Sequence, residues 1–160
     1  MKVNPKHLEA IMKAVNASPY FSLLGIKITE LASRTATVEL EVEKKHLNPF
    51  GSVHGGVYAS LIDTAAYYDQ KENVGFTSVD VSVTHLAMVT DGKLIATARA
   101  VKEGKSICLC EASIQTDKGI LIAHGISKLM VLHNRQSVAD VIRTMGISEL
   151  PSKFMEEAKI

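Results

Sequence analysis

The chain has no tryptophan, four prolines, two cysteines and only 5% aromatic residues, and its formal net charge is +1. Each scarcity excludes something. Two cysteines two positions apart, Cys108 and Cys110, cannot form a disulfide framework. They lie on one face of an apolar, strand-like run, which is the pattern of buried thiols in a reducing compartment, so a cytoplasmic location is expected. A near-zero net charge, without a basic stripe interleaved with aromatics, gives no argument for a nucleic-acid partner. No apolar run approaches the ~20 residues that a membrane span needs. Residues Met1 to Ala10 carry Lys2, Lys6, His7 and Glu9 around no apolar stretch, so no secretory signal is expected there. His7, His46, His124 and His133 show no ligand spacing with one another or with the cysteines, and no metal site is expected.

What remains is an ordinary globular composition, 46% hydrophobic and 22% charged over 160 residues. One domain spanning 1–160 is expected, large enough to bury roughly 70% of its unfolded surface. Leu8, Ile11, Met12 and Val15 give Pro5 to Val15 helical periodicity. From Thr35 to Glu43 the period changes to two, with Ala36, Val38, Leu40 and Val42 facing one way, and Gly25 to Leu31 can pair with that strand as a hairpin. Ser78 to Leu86 alternates again, Val79, Val81, Val83 and His85 opposing Ser78, Asp80, Ser82 and Thr84. Leu94 to Val101, Ser106 to Ile114 and Ile120 to Leu132 read as further strands. Asp91-Gly92, Glu103-Gly104 and Asp117-Lys118-Gly119 separate them with turn chemistry, and connections this short predict an antiparallel meander. Beyond His133, Ser137 can cap a helix carrying Val138, Val141, Ile142 and Met145 that ends at Gly146, and Pro151 can open a last short helix with Phe154 and Ala158.

The most informative stretch runs from Asn48 to Asp63, Asn-Pro-Phe-Gly-Ser-Val-His-Gly-Gly-Val-Tyr-Ala-Ser-Leu-Ile-Asp. A turn built on Pro49 and Gly51 delivers His54-Gly55-Gly56 to the start of an apolar helix reaching about Gln70. Between Gly56 and Tyr68 its only charged residue is Asp63. A carboxylate among Val57, Leu61, Ile62, Ala65 and Ala66 must be paired, kept at an interface or used, because burying it alone costs several kcal/mol. A helix so apolar needs partners nearly all round. One such helix among about six strands therefore predicts an α+β fold in which the sheet curls around the helix. At the helix start, Gly55 and Gly56 present backbone N–H groups without intrahelical partners, reinforced by the helix dipole, and such an end stabilises an oxyanion. Gly56, Ser60, Asp63 and Tyr67 follow at i, i+4, i+7 and i+11 as one polar stripe. An N–H donor and a carboxylate on opposite sides of a carbonyl are the minimum parts for hydrolysing an activated acyl group. Within one helix they stand roughly 10 Å apart, too far for one carbonyl to touch both. Their cooperation would cross a dimer interface, with Gly55 from one chain and Asp63 from the other.

The pattern Asn-Pro-x-Gly-x-x-His-Gly-Gly-x-x-x-x-Leu-x-Asp resembles the signature of hotdog-fold thioesterases of the phenylacetate-degradation (PaaI-type) and 4-hydroxybenzoyl-CoA thioesterase group. The resemblance extends over about Gly25 to Leu132. It implies a hotdog fold, an antiparallel sheet of about six strands around one central helix, here with an N-terminal helix in 1–24 and an extra helical tail in 133–160. It also implies homodimers with sheets joined edge to edge, often homotetramers, and an acyl-CoA substrate with no cofactor beyond the coenzyme A that the substrate carries. Position by position, Asp63 matches the catalytic carboxylate, acting as general base or nucleophile, and Gly55 the glycine whose N–H polarises the thioester carbonyl. His54 matches the histidine that orients the loop or the thioester. Asn48 matches an asparagine that places the carbonyl or the water, and Ser78 a position that contacts the attacking water. Gly56 and Tyr67 fall on the substrate side of the stripe. Lys102, Gly104 and Lys105 resemble the basic turn that meets the nucleotide end of coenzyme A. The chain departs from the pattern at Thr84-His85-Leu86-Ala87-Met88, where many relatives carry a basic residue.

Two other readings share this fold. A hotdog hydratase would carry Asp-x-Asn-Pro-x-His, but His46 and Gly51 stand at its two chemical positions. A non-catalytic acyl-CoA sensor would have little need of the mid-helix carboxylate, and the residues before Gly25 are too few for a DNA-binding module. Tyr58, Tyr67, Tyr68 and Phe76 either line an aromatic pocket or fill core.

Overall fold

The computed structural model of the protein describes residues 3–66, 75–133, 138–146 and 149–155. In chain order these form α1 (Pro5–Asn16), α2 (Pro19–Leu24), β1 (Lys27–Leu31), β2 (Thr35–Glu41), α3 (Gly55–Ala66), β3 (Gly75–His85), β4 (Lys93–Glu103), β5 (Ile107–Thr116), β6 (Leu121–Leu132) and α4 (Val138–Thr144), with a single 3-10 turn at Lys44–His46. The strands make one antiparallel sheet in the order β1-β2-β4-β5-β6-β3. Helix α3 packs against β2, β3, β4, β5 and β6. Leu61, Ile62, Ala65 and Ala66 are completely buried there against Val38, Leu94, Ala96, Ile114, Ala123 and Leu129. This is the hotdog arrangement that the apolar helix predicts. The helix comes so near to β6 that a Cβ on Gly125 would sit 2.6 Å from Cδ1 of Ile62, so only glycine fits beneath it.

The meander holds for β4, β5 and β6 but not for β3, which pairs with β6 at the far edge. Residues 86–92 connect the end of β3 to the start of β4, from which β5 and β6 separate it in the sheet order. Leu86 N–H donates to Ile122 O at one end of this connection, and Val42 N–H donates to Gly92 O at the other.

The alternation expected along β3 is also interrupted. The register shifts between Ser78 and Asp80, leaving Val79 as the extra residue of a bulge. Across it the inward face changes from even to odd positions. Phe76 and Ser78 oppose Val131 and Leu129, whereas Val81 and Val83 oppose Ser127 and Gly125. Ser78 thus shares the helix-facing side with Val81 and Val83 instead of opposing them, and Val79 is turned out to solvent.

Helix α2 and the 3-10 turn were not expected from periodicity, because neither is long enough to show one. They are tied together by His46, a fully buried ring. Its Nδ1 accepts the Glu43 N–H at 2.8 Å, and its Nε2 donates to Leu24 O at 2.7 Å.

The two edges of the sheet are treated differently. At β1, Ile28 N–H donates to Asn16 Oδ1 (2.8 Å) and Asn16 Nδ2 donates to Ile28 O (3.0 Å), so one side chain of α1 satisfies the edge backbone there. Helix α1 also packs on α4, whose Ile142 is buried. Gly146 closes the turn after α4 with φ 87°. The expected capping residue Ser137 lies outside the described residues, as do Ala158 and the end of the apolar helix toward Gln70. The short helix expected after Pro151 is not formed over 151–155. The carbonyls of Pro151, Ser152 and Lys153 instead receive His7 Nδ1, Asn4 Nδ2 and the Asn4 N–H, and Phe154 bridges to Val3 in extended form. With those carbonyls taken by the N-terminus, the backbone has no use for helical bonds. Strand β3 has no such cover among the described residues.

Both cysteines are buried thiols, and Cys110 Sγ donates to Ala66 O at 3.5 Å. Burial first, then the nearby Cys108 and Glu103, push the Cys110 thiol up to about 12 from its ordinary 9.0. An unfolded thiol ionises at the lower value while the folded one keeps its proton. Its contribution to stability is therefore complete below about pH 9 and is lost as the pH rises toward 12. Denaturant titrations at about pH 8 and about pH 10.5 are expected to show an alkaline loss of stability that is smaller in Cys110→Ala. A thiol reagent should label native Cys110 only on the timescale of unfolding.

Candidate active site

The loop ahead of α3 is built largely by one side chain. Asn48 Oδ1 accepts the Phe50 N–H (2.9 Å) and the Ser52 N–H (3.3 Å), its Nδ2 donates to Ser52 Oγ (2.9 Å), and its backbone N–H donates to Ser52 O (2.7 Å). Gly51 completes the turn with φ 80°. The loop is then pinned at two further points, His54 N–H to His46 O and Val53 N–H to Val89 O, each 2.8 Å. Asn48 is therefore the brace of the loop.

His54 caps the helix twice. Its carbonyl accepts the Val57 N–H at 2.9 Å, and its ring Nδ1 accepts the Gly56 N–H at 2.9 Å. Accepting at Nδ1 leaves the ring hydrogen on Nε2. The exposed ring lines a cleft of about 320 Å³ beside the helix start, together with Gly56, Val57, Ser60, Leu47, Tyr20 and Leu24. Of the first N–H groups of α3, Gly56 and Val57 are thus occupied, whereas the Gly55 N–H meets no acceptor among the described residues. Gly55 has a second reason to be glycine. A Cβ there would stand 2.6 Å from Cε1 of His85, whose ring packs edge-on against Tyr58 with centroids 5.2 Å apart. His85, at the end of β3, is a solvent-facing cover over the helix start.

Asp63 is half-buried and faces the sheet. Ser78 Oγ donates to its Oδ1 at 2.5 Å and Ser127 Oγ donates to the same oxygen at 3.3 Å. Oδ2 meets no donor among the described residues. Eight residues of uninterrupted helix separate Gly55 from Asp63, about 12 Å of axial rise. The polar stripe divides accordingly. Ser60 belongs to the cleft, donating to Gly56 O (2.8 Å) and pairing with Tyr20 OH (2.6 Å), and Asp63 belongs to the sheet side. Tyr67 and Tyr68 lie outside the described residues. Tyr58 is buried and Phe76 packs on the core.

The basic turn sits elsewhere in the chain. Lys102 and Lys105 are exposed around Gly104, at the hairpin between β4 and β5. Gly104 N–H donates to Ile107 O, and His133 donates from its ring to Lys105 O. Cys110, next to Ala66, is five residues along β5 from Lys105, so this hairpin belongs to the C-terminal end of α3 and not to the His54 end.

Sequence reading missed Ser127, His46, Tyr20 and the packing role of His85. Ser127 stands in an apolar strand face where one serine carries no signal, and the other three matter only through partners brought by the tertiary fold.

The fold agrees with what comparison with known proteins finds. Residues 50–123 match the model of the thioesterase superfamily. Acyl-coenzyme A thioesterase 13 of Mus musculus is 30% identical over 128 residues, covering 75% of this chain and 91% of that protein. The chain belongs to the hotdog-fold thioesterase family. It is a thioester hydrolase. A second relative, the 1,4-dihydroxy-2-naphthoyl-CoA hydrolase of Listeria monocytogenes, is 33% identical over 106 residues, 62% of this chain and 86% of that protein. The fold of this thioesterase superposes on a thioesterase family protein from Silicibacter pomeroyi with a TM-score of 0.71 at 20% identity, over 79% of this chain and 98% of that one.

The crowding at Gly55 yields a test. In Gly55→Ala the new methyl forces His85 off Tyr58 and disturbs the one N–H that is left open. Thioester turnover is expected to fall by about tenfold or more, while the melting temperature changes by only a few degrees. Steady-state hydrolysis beside a thermal melt reads both, and unchanged turnover would show that the close fit of His85 over Gly55 has no part in the chemistry.

Proposed function

We propose that this thioesterase hydrolyses acyl-CoA to the free acid and coenzyme A, across the interface of a homodimer. One observation carries the reading. Among the described residues the Gly55 N–H meets no acceptor and Asp63 Oδ2 meets no donor, and the two groups are about 12 Å apart in one chain. A single carbonyl is within reach of both only when they come from different protomers. The edge strand β3, uncovered among the described residues, supports this, since β1 is closed by Asn16 and an open edge pairs readily with its own copy. Assembly of such dimers into tetramers fits the same reading.

In this mechanism the thioester carbonyl lies against the Gly55 N–H at the positive end of α3, which favours the charge that gathers on the carbonyl oxygen during attack. His54 orients the loop end and offers its Nε2–H to the cleft. Asn48 acts through the loop it braces, and Gly56 lets the substrate pass close to backbone. Asp63 of the other protomer takes a proton from water while the water oxygen bonds to the carbonyl carbon. The tetrahedral adduct then collapses, the carbon–sulfur bond breaks, and the thiolate of coenzyme A leaves. Attack by Asp63 itself, through a mixed anhydride that water hydrolyses, uses the same atoms. Ser78 acts on Asp63, and Tyr67, four positions after Asp63 in the sequence, is kept as a substrate-side residue. Lys102 and Lys105, with Gly104 between them, supply exposed charge for the phosphates of coenzyme A, as point charges at the Asp63 end of the helix. The chemistry calls for no cofactor beyond the coenzyme A of the substrate, and the enzyme is assigned to the cytoplasm. Among the described residues no helix is long and apolar enough to cross a membrane.

Thiol release from a panel of short-chain, long-chain and aryl acyl-CoAs tests the reading, with Asp63→Asn run beside the wild type. The variant is expected to retain its fold and oligomeric state and to lose about 100-fold or more in kcat. A wild type that binds acyl-CoA yet turns over no member of the panel would make this a binding protein. Light scattering on a sizing column is expected to give a dimer or a multiple of it, and a monomer with full activity would overturn the shared site.

A further inference from the structure

We propose that Ser127 is a positioning residue for the Asp63 carboxylate, forming with Ser78 a two-hydroxyl clamp on Oδ1 that leaves Oδ2 as the reacting oxygen. The proposal rests on the reading of Asp63 as base or nucleophile and deepens it. Ser127 is completely buried, on the face of β6 that lies against α3. Among the described residues its hydroxyl has one hydrogen-bond partner, Asp63 Oδ1 at 3.3 Å. A buried hydroxyl without a partner is costly, so what this serine offers over alanine is the bond to that carboxylate. Ser78 reaches the same oxygen at 2.5 Å from the neighbouring strand, and it faces inward only because of the bulge at Val79.

The consequence is geometric. A carboxylate held by one donor can still turn about its Cβ–Cγ bond and exchange its oxygens. Two donors from two strands, meeting at one oxygen, fix both the plane of the group and the identity of each oxygen. Oδ1 then has its lone pairs engaged, and Oδ2, which meets no donor among the described residues, is the atom presented to water or to the acyl carbon. Both hydroxyls must spend their hydrogens on Oδ1, so neither competes for the proton that Oδ2 takes up. The 3.3 Å bond is the weaker arm of the clamp, and its loss should loosen the orientation of Asp63 without abolishing its chemistry.

Turnover of the best acyl-CoA of the panel, measured for wild type, Ser127→Ala, Val81→Ala and Asp63→Asn, decides the matter. Val81 sits opposite Ser127 on the same face and packs on the core, so its truncation loosens packing at that spot and leaves the clamp hydroxyls in place. Ser127→Ala is expected to lower kcat by about five- to tenfold with KM unchanged and the melting temperature within a few degrees of wild type. Val81→Ala is expected to lower the melting temperature more and kcat by less than about twofold. If Asp63→Asn collapses turnover but Ser127→Ala keeps kcat within about twofold, the clamp is overturned and the role of Asp63 stands. If Val81→Ala lowers kcat as much as Ser127→Ala, the effect is packing and the clamp is again overturned. If Asp63→Asn turns over like wild type, the carboxylate reading itself fails and the clamp with it.

Discussion

The structure depends on one constraint, that an almost wholly apolar helix must be enclosed while the single carboxylate in its middle is kept satisfied. Enclosure explains the curl of the sheet, since α3 touches five of the six strands and no flat sheet presents that much surface to one helix. It also explains the closeness of the packing at Gly125, where any side chain would collide with Ile62. The carboxylate then dictates what stands beneath it. The inward face of the sheet is aliphatic or alanine almost throughout, and the hydroxyls of Ser78 and Ser127 come up where Asp63 comes down. Placing both requires two adjacent strands to present small polar residues at the same level. A regular β3 would have turned Ser78 outward, and the bulge at Val79 is what reconciles strand geometry with the needs of the helix.

The two chemical ends of α3 are supported by different devices. The N-terminal end is organised by backbone. Asn48 closes the loop, His46 anchors it from behind, and His54 consumes two of the first N–H groups, while the Gly55 N–H meets no acceptor among the described residues. The capping that stabilises the helix is therefore also what singles out one donor. Asp63 is organised by side chains from the sheet. The separation of about 12 Å between the two is fixed by helical rise and cannot be shortened by any local change.

Much of this was readable in the chain itself, for reasons that differ between elements. Helix α3 and its entry loop were plain because glycine, histidine and aspartate at fixed helical spacing are local facts, and the five-strand enclosure followed from an apolar surface with nowhere else to go. Strand β2 showed its period of two, and β4, β5 and β6 read as strands set apart by turn residues. What failed to show depends on tertiary contacts. The bulge in β3 is a mismatch between strands, invisible in the alternation of Val79, Val81 and Val83, which reads equally well in either register. The backbone from Pro151 carries a good helix-opening residue, yet His7 and Asn4, more than 140 positions away, take its carbonyls. Ser127 is the sharpest case. A lone serine in a strand is usually without consequence, and its meaning comes entirely from the helix that lies over it.

The unequal treatment of the sheet edges bears on how sites would be counted in the assembly. An amide side chain from α1 occupies the backbone groups of β1 at Ile28, and α1 is itself held in place by α4 and the residues from Pro151. Among the described residues that leaves β3, the strand that also carries Ser78 and His85, as the edge without cover. Pairing of β3 with its own copy is isologous, so a twofold axis would pass through the joined strands. Under that symmetry every contact occurs twice. If Gly55 of one protomer meets a carbonyl together with Asp63 of the other, the reverse pair forms an equal site on the opposite side of the axis. In the proposed dimer, a strand that holds both the cover of the helix start and the Ser78 contact to Asp63 would link assembly to catalysis, and disturbing the β3 edge would alter both halves of both sites at once.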